Sequence, residues 1–266
     1  MCKWKPFREE FTISRLKLEY SYDEDFSVTR WQATRRVDEH YLIYRCLHFM
    51  CFLLTVYVKL RLTPSEKLVI SLVYFTYWSF GINFAHSMLG LFAVCRAYIK
   101  QQDGKPEDHN SRFLHKCYLI CFNISICFAI CVVFVFWFGV RYMKEDDTID
   151  TSKYFHTWTA IIVVMDFFVT SVPIYLLLVV PAQAIGLIYA IFNFAYCKSG
   201  GQDYYGNNYI YPKFKWNEDT LEPILYTVLT LSQVLLVHLS LFGMHLVKVH
   251  FFHICYKDNK ERRSFD

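Results

Sequence analysis

Charge is what this 266-residue sequence has least of. Asp, Glu, Lys and Arg make up 20% of it, against about 25% in soluble domains. Glycine (9) and proline (7) are also scarce, which excludes collagen-like, linker-rich and generally disordered readings. No Gly-x-Ser-x-Gly elbow, phosphate-binding loop or Cys-x-x-Cys pair occurs, so a soluble-style hydrolase triad, a nucleotide site and a thioredoxin-like site have no support. Ten cysteines over this length do not make a small disulfide scaffold. The net charge of +4 gives no basis for nucleic-acid binding.

What is present is apolar and aromatic: 55% hydrophobic residues, with 25 Phe and 20 Tyr. Crossing about 30 Å of hydrocarbon takes about 20 mostly apolar residues. Leu68–Cys95, Cys117–Val140 and Pro223–Val247 lack any formal charge, and Tyr154–Cys197 carries only Asp166. The last run is too long for one crossing, so it must fold back, and Pro173 and Pro181 mark where. A further span forms if Tyr41 and Leu42 join Cys46–Val58 and Arg45 snorkels inward. The expected fold class is all-α, an integral membrane bundle of six transmembrane helices near 41–58, 68–95, 117–140, 157–172, 182–197 and 223–247. Residues 1–40 form an N-terminal segment and 250–266 a tail. Lys and Arg number 18 on the side holding both termini and 9 on the other, which predicts cytoplasmic termini.

In the N-terminal segment, Trp4, Phe7, Phe11, Leu18 and Tyr22 fall at helical spacings. This suits either a helix lying on the membrane surface or a segment packed on the bundle. Cys2, Cys95, Cys117 and Cys255 lie near the inner face, where palmitoylation is one use for them. Asn123-Ile-Ser125 matches a glycosylation sequon but falls inside a span.

Ionisable residues in a span are costly and face the protein interior. They are Arg45, His48, His86, Asp166, His238 and His245, with Asn83, Asn123 and Asn193. Arg45 and Asp166 both lie within about 10 Å of the inner end of their helices at 1.5 Å per residue. Pairing them would lessen two desolvation costs. Among the histidines, His238 and His245 are seven apart and His250 and His253 three apart. Neither pattern is a histidine box, so no metal or other cofactor is expected.

Three stretches carry a resemblance. They are Phe75-Thr76-Tyr77-Trp78-Ser79; His156-Thr157 with Asp166 and Ser171-Val172-Pro173; and Gly186-Leu187-Ile188-Tyr189 followed by Gly200-Gly201 and Tyr209-Ile210-Tyr211-Pro212. Together with Glu10-Phe11, Leu16, Leu18, Phe26 and Trp31, they resemble the rolling stone family of invertebrate membrane proteins, which is linked to myoblast fusion. The resemblance implies a non-catalytic role in cell–cell contact as one reading. A more distant resemblance is to the androgen-induced-gene family of six-helix membrane proteins, which hydrolyse fatty-acid esters of hydroxy fatty acids. It implies Thr76 as nucleophile, His156 as base and a lipid ester as substrate, in the plasma membrane or an endomembrane. The chain departs from that family in having Ser152-Lys153-Tyr154-Phe155 where an Asn-His is usual.

Overall fold

The computed structural model describes residues 10–12, 18, 23–32, 36–104, 109–140 and 151–262. Among the described residues all regular structure is helical. The helices are α1 (Glu39–Leu62), α2 (Ser65–Ser71), α3 (Phe75–Asp103), α4 (His109–Phe134, continued by a π-helical stretch Val135–Val140), α5 (Thr151–Val169), α6 (Val179–Lys198) and α7 (Leu221–Arg262). Among the described residues, five stretches are long and apolar enough to cross a membrane: Glu39–Leu62, Phe75–Asp103, Arg112–Phe138, Leu176–Lys198 and Leu221–Phe252. Phe155–Val169 of α5 is apolar but shorter.

Local chemistry sets several ends. Asp38 caps α1 by accepting from the His40 backbone N–H at 2.8 Å, which satisfies one of the donors a helix start leaves open. Pro64 follows the Thr63 cap and stops continuation. Gly104, at φ 64°, closes α3 in the left-handed region that glycine adopts without strain. Asp219 accepts from Leu221 N–H at 2.9 Å at the start of α7, and this bond holds its carboxyl below the usual carboxylate range.

Helix α4 is the centre of the bundle and packs against α3, α5, α6 and α7. Its Tyr118, Leu119, Phe122, Ile126 and Phe128 are fully buried. The outer faces of α1, α6 and α7 are the reverse. Leu47, Leu54, Ile188, Val228 and Leu236 are each more than half exposed. An apolar belt of this extent suits a lipid-facing surface and not a soluble monomer.

Two observed bounds differ from the charge-free runs. The run from Leu68 is broken at Leu72–Tyr74, between α2 and α3. The Tyr189 hydroxyl donates to Val73 O at 2.9 Å and Tyr211 accepts from Phe75 N–H at 3.1 Å, so side chains from distant elements stand in for helix continuity. Helix α7 continues through 262, past the charge-free run, because polar residues end a span without ending a helix.

Between α5 and α6 the chain turns back into the bundle as a buried, largely extended segment, 170–178. Its Thr170, Val172, Ile174 and Tyr175 are almost wholly enclosed. Irregular backbone at such a site needs every polar group met by protein. Asn123 donates to Pro173 O (3.1 Å) and accepts from Tyr175 N–H (3.1 Å), a role that excludes the sequon reading. His238 Nε2 lies 3.0 Å from Tyr175 O, and Glu10 accepts from Leu176 N–H at 2.8 Å. Lys248 donates to Phe167 O and Thr170 O. Residues 28–31 of the N-terminal segment lie along the same turn. Thr29 bridges Thr170, Arg30 N–H donates to Val169 O (3.0 Å) and Trp31 Nε1 to Phe168 O (2.8 Å). Here the N-terminal segment packs on the bundle. Trp4, Phe7, Tyr22 and Cys2 lie outside the described residues.

Candidate functional site

Thr76, in the first turn of α3, and His156, in α5, line one small cavity. Ser79, Asn83 and Thr159 add polar groups, and Phe80, Ala129, Val132, Phe155 and Ala160 complete the wall. Its volume is about 10 Å³, room for about one water molecule and far below the roughly 300–1,000 Å³ of sites for drug-sized ligands. The His156 ring packs against Phe136, with centroids 4.4 Å apart. Trp137 Nε1 donates to Thr157 Oγ1 at 3.1 Å, anchoring the next residue of α5 to the π-helical stretch. The Thr76 hydroxyl faces the Tyr211 hydroxyl.

The loop 199–220 roofs this end of the bundle. Gly200 and Gly206 take positive φ (82° and 85°), and Asp203 accepts from Tyr205 and Asn207 N–H at 2.8 Å each, closing a tight turn. Tyr204 N–H donates to the Tyr74 hydroxyl at 3.1 Å. The loop thus fixes the start of α3, and with it Thr76.

A second polar cluster lies deeper. Arg45 is fully buried and does not snorkel. It finds its acceptors inside instead: Nη1 is 2.9 Å from Asp166 Oδ1, Nη2 donates to Tyr118 Oη at 2.6 Å, and Nε donates to Tyr41 Oη at 3.0 Å. Asp166 is also fully buried. It accepts from the Tyr44 hydroxyl at 3.0 Å and faces His86 Nε2 at 3.0 Å. A buried ion pair needs this kind of added hydrogen bonding to offset desolvation. Gly90 makes room for it, since a Cβ there would sit 3.2 Å from Arg45 Nη1 and 3.1 Å from Tyr118 Oη.

The cluster extends toward the cavity. His86 Nδ1 is 3.4 Å from Ser125 Oγ. The Asn83 amide orientation that satisfies its surroundings points nitrogen at Ser125 Oγ (2.8 Å), Ser125 O (3.2 Å) and Ser79 O (3.3 Å). The sequence offered Ser125 only as part of a sequon and His86 only as one of several intramembrane histidines. Nothing in the spacing joins 86, 125 and 166, because three different helices bring them together. His48, also in the list, bonds to Ser87 Oγ at 2.9 Å.

The motif residues sit at structural junctions. Phe75–Ser79 opens α3, and Trp78 Nε1 donates to Leu72 O at 2.9 Å across the α2–α3 break. Gly186 allows α6 to approach Leu231 of α7, where an added Cβ would lie 3.0 Å from a methyl group. The family model described as Protein rolling stone matches residues 1–257. The chain belongs to the rolling stone family. Among its relatives is Protein rolling stone of Drosophila melanogaster, 24% identical over 257 residues, covering 92% of this chain and 90% of the relative. No solved structure matches. Membership in the rolling stone family and five helices of spanning length agree on a membrane protein.

Proposed function

We propose that this rolling stone family member is a six-span membrane protein, both termini cytoplasmic, with an intramembrane lipid-ester hydrolase site. The observation that carries the reading is the single cavity shared by Thr76 and His156. A threonine hydroxyl is a weak nucleophile until a neighbouring base takes its proton, and a neutral histidine can do so. Phe80, Val132 and Phe155 give the cavity an apolar wall that would face an acyl chain once side chains move apart to admit it. An apolar site also keeps bulk water scarce around the reacting ester. The substrate class is a fatty-acid ester drawn from the surrounding lipid, and no cofactor is required. The second reading, a non-catalytic role in cell–cell contact, is favoured by the Thr76 hydroxyl facing Tyr211, which suits a structural link to the roof.

The test is turnover by the purified chain in lipid nanodiscs, with a fatty-acid ester of a hydroxy fatty acid as substrate. Thr76→Ala and His156→Ala should each lower turnover by about 10²- to 10⁴-fold. Full activity in both variants, or no turnover by the parent chain, would overturn the reading. Six spans rest on α5 completing a crossing, since its 19 residues reach about 28 Å. Tags at Met1 and within Gly200–Asn208 should label on opposite sides of the membrane. Labelling of both from one side would sink this topology.

A further inference from the structure

We infer that Ser125, His86 and Asp166 form a second nucleophile site, a serine triad in the bundle interior that acts on acyl esters entering through the cavity beside it. It shares the cavity with the Thr76 reading but not the nucleophile, so it stands or falls separately.

Geometry carries the inference. Serine triads are recognised by the mutual placement of nucleophile, base and acid and not by chain order. Here Asp166 Oδ2 is 3.0 Å from His86 Nε2, and Ser125 Oγ is 3.4 Å from His86 Nδ1. All three side chains are fully enclosed. The Asp166 carboxylate meets His86 Nε2 as a charge contact, its N–H not aligned for a hydrogen bond; a carboxylate there favours the proton on Nε2 and leaves the Nδ1 lone pair facing the serine hydroxyl. The Ser125 oxygen is free to receive the Asn83 N–H at 2.8 Å. The contacts from Asn83 through Ser125 and His86 to Asp166 then run in one direction, with the last a charge contact and not an aligned hydrogen bond. The two ring nitrogens have exchanged the roles they hold in soluble serine hydrolases. The His86 ring cannot swing away, because it stacks on Tyr118 (centroids 5.6 Å apart) and packs on Phe122 (5.3 Å) and edgewise on His48 (5.7 Å).

Access follows from Asn83. It stands on the cavity wall and against Ser125 at once. Ala129, also on that wall, is one helical turn from Ser125 on α4. The Asn83 side chain is therefore the partition between cavity and serine.

The charge balance keeps the serine silent at rest. Arg45 and Asp166 cancel, so passing the Ser125 proton to His86 at rest would create a further alkoxide–imidazolium pair in an enclosed site, a charge separation that is costly. That cost falls when Ser125 bonds to a carbonyl carbon as the proton leaves, since the negative charge then passes to the former carbonyl oxygen of the tetrahedral intermediate. In the step proposed, Ser125 Oγ bonds to the ester carbonyl carbon while its proton moves to His86 Nδ1. The bond from that carbon to the alcohol oxygen then breaks, and His86 gives the proton to the departing alcohol. Water, deprotonated by His86, attacks the resulting acyl-serine, releases the fatty acid and restores the hydroxyl.

The experiment uses the full chain in lipid nanodiscs with a long-chain alkyl fluorophosphonate, and the adduct site is read by peptide mass spectrometry. An adduct on Ser125 is expected. It should disappear in Ser125→Ala, form at least tenfold more slowly in His86→Gln, and still form in Thr76→Ala. Asn83→Ala opens the partition and covers the case in which the probe cannot pass it. An adduct on Thr76 alone supports the Thr76 reading and overturns this one. Absence of a Ser125 adduct in both the parent chain and Asn83→Ala also overturns it.

Discussion

Asp166→Asn is expected to destabilise the protein by about 3–5 kcal/mol, the range found when one partner of a buried ion pair is removed. Asparagine keeps the shape and an acceptor for His86 and Tyr44 but removes the charge. Arg45 then remains fully enclosed, with only the neutral hydroxyls of Tyr41 and Tyr118 for company. The measurement is the thermal unfolding midpoint of the purified chain in detergent, with folded yield beside it. Adding Arg45→Met should recover most of the loss, since an apolar replacement of a whole buried pair is often neutral or better. A single variant as stable as the parent chain, or a double variant worse than the single one, would contradict the account of this cluster.

The second large effect is expected at Asn123. Asn123→Leu keeps similar bulk but leaves Tyr175 N–H and Pro173 O without their partner inside the bundle. Each buried polar group left unsatisfied costs about 1–3 kcal/mol, so a loss of about 2–5 kcal/mol is expected. The loss should be local first. Backbone amides of the segment 170–178 should exchange hydrogen faster than those of α4. Ser240→Ala is the control: that hydroxyl is exposed on α7 and returns to its own helix at Leu236 O, so its removal should stay within about 0.5 kcal/mol. Equal stability of Asn123→Leu and the control would show that the extended segment is held by something other than this amide.

Legibility in the sequence followed the physics of each feature. The long apolar helices were readable because a span excludes charge over a fixed length. The break at Leu72–Tyr74 was not, because no proline, glycine or charge marks it; Tyr189 and Tyr211 impose it from far along the chain. The turn after α5 was half readable, since Pro173 signals an end to helix. Nothing local says that the following residues are buried, or that Asn123, His238 and Glu10 serve their backbone. Arg45 and Asp166 stood out by rarity, yet snorkelling was expected of Arg45 and internal acceptors hold it instead. Thr76 and His156 came forward only through resemblance. Helical spacing alone could not tell which histidine faces which helix, and so it missed the placement of His86 against both Ser125 and Asp166.

The claim that Thr76 and His156 act together is tested most directly by one distance. In a structure determined in a lipid bilayer with a non-hydrolysable ester analogue bound, Thr76 Oγ should lie about 3 Å from a His156 ring nitrogen, or one bridging water away. The analogue's carbonyl carbon should rest beside Thr76. A wider separation, or either side chain turned toward bulk lipid with the analogue bound elsewhere, would contradict the hydrolase reading and leave the shared cavity as a structural feature of the rolling stone bundle.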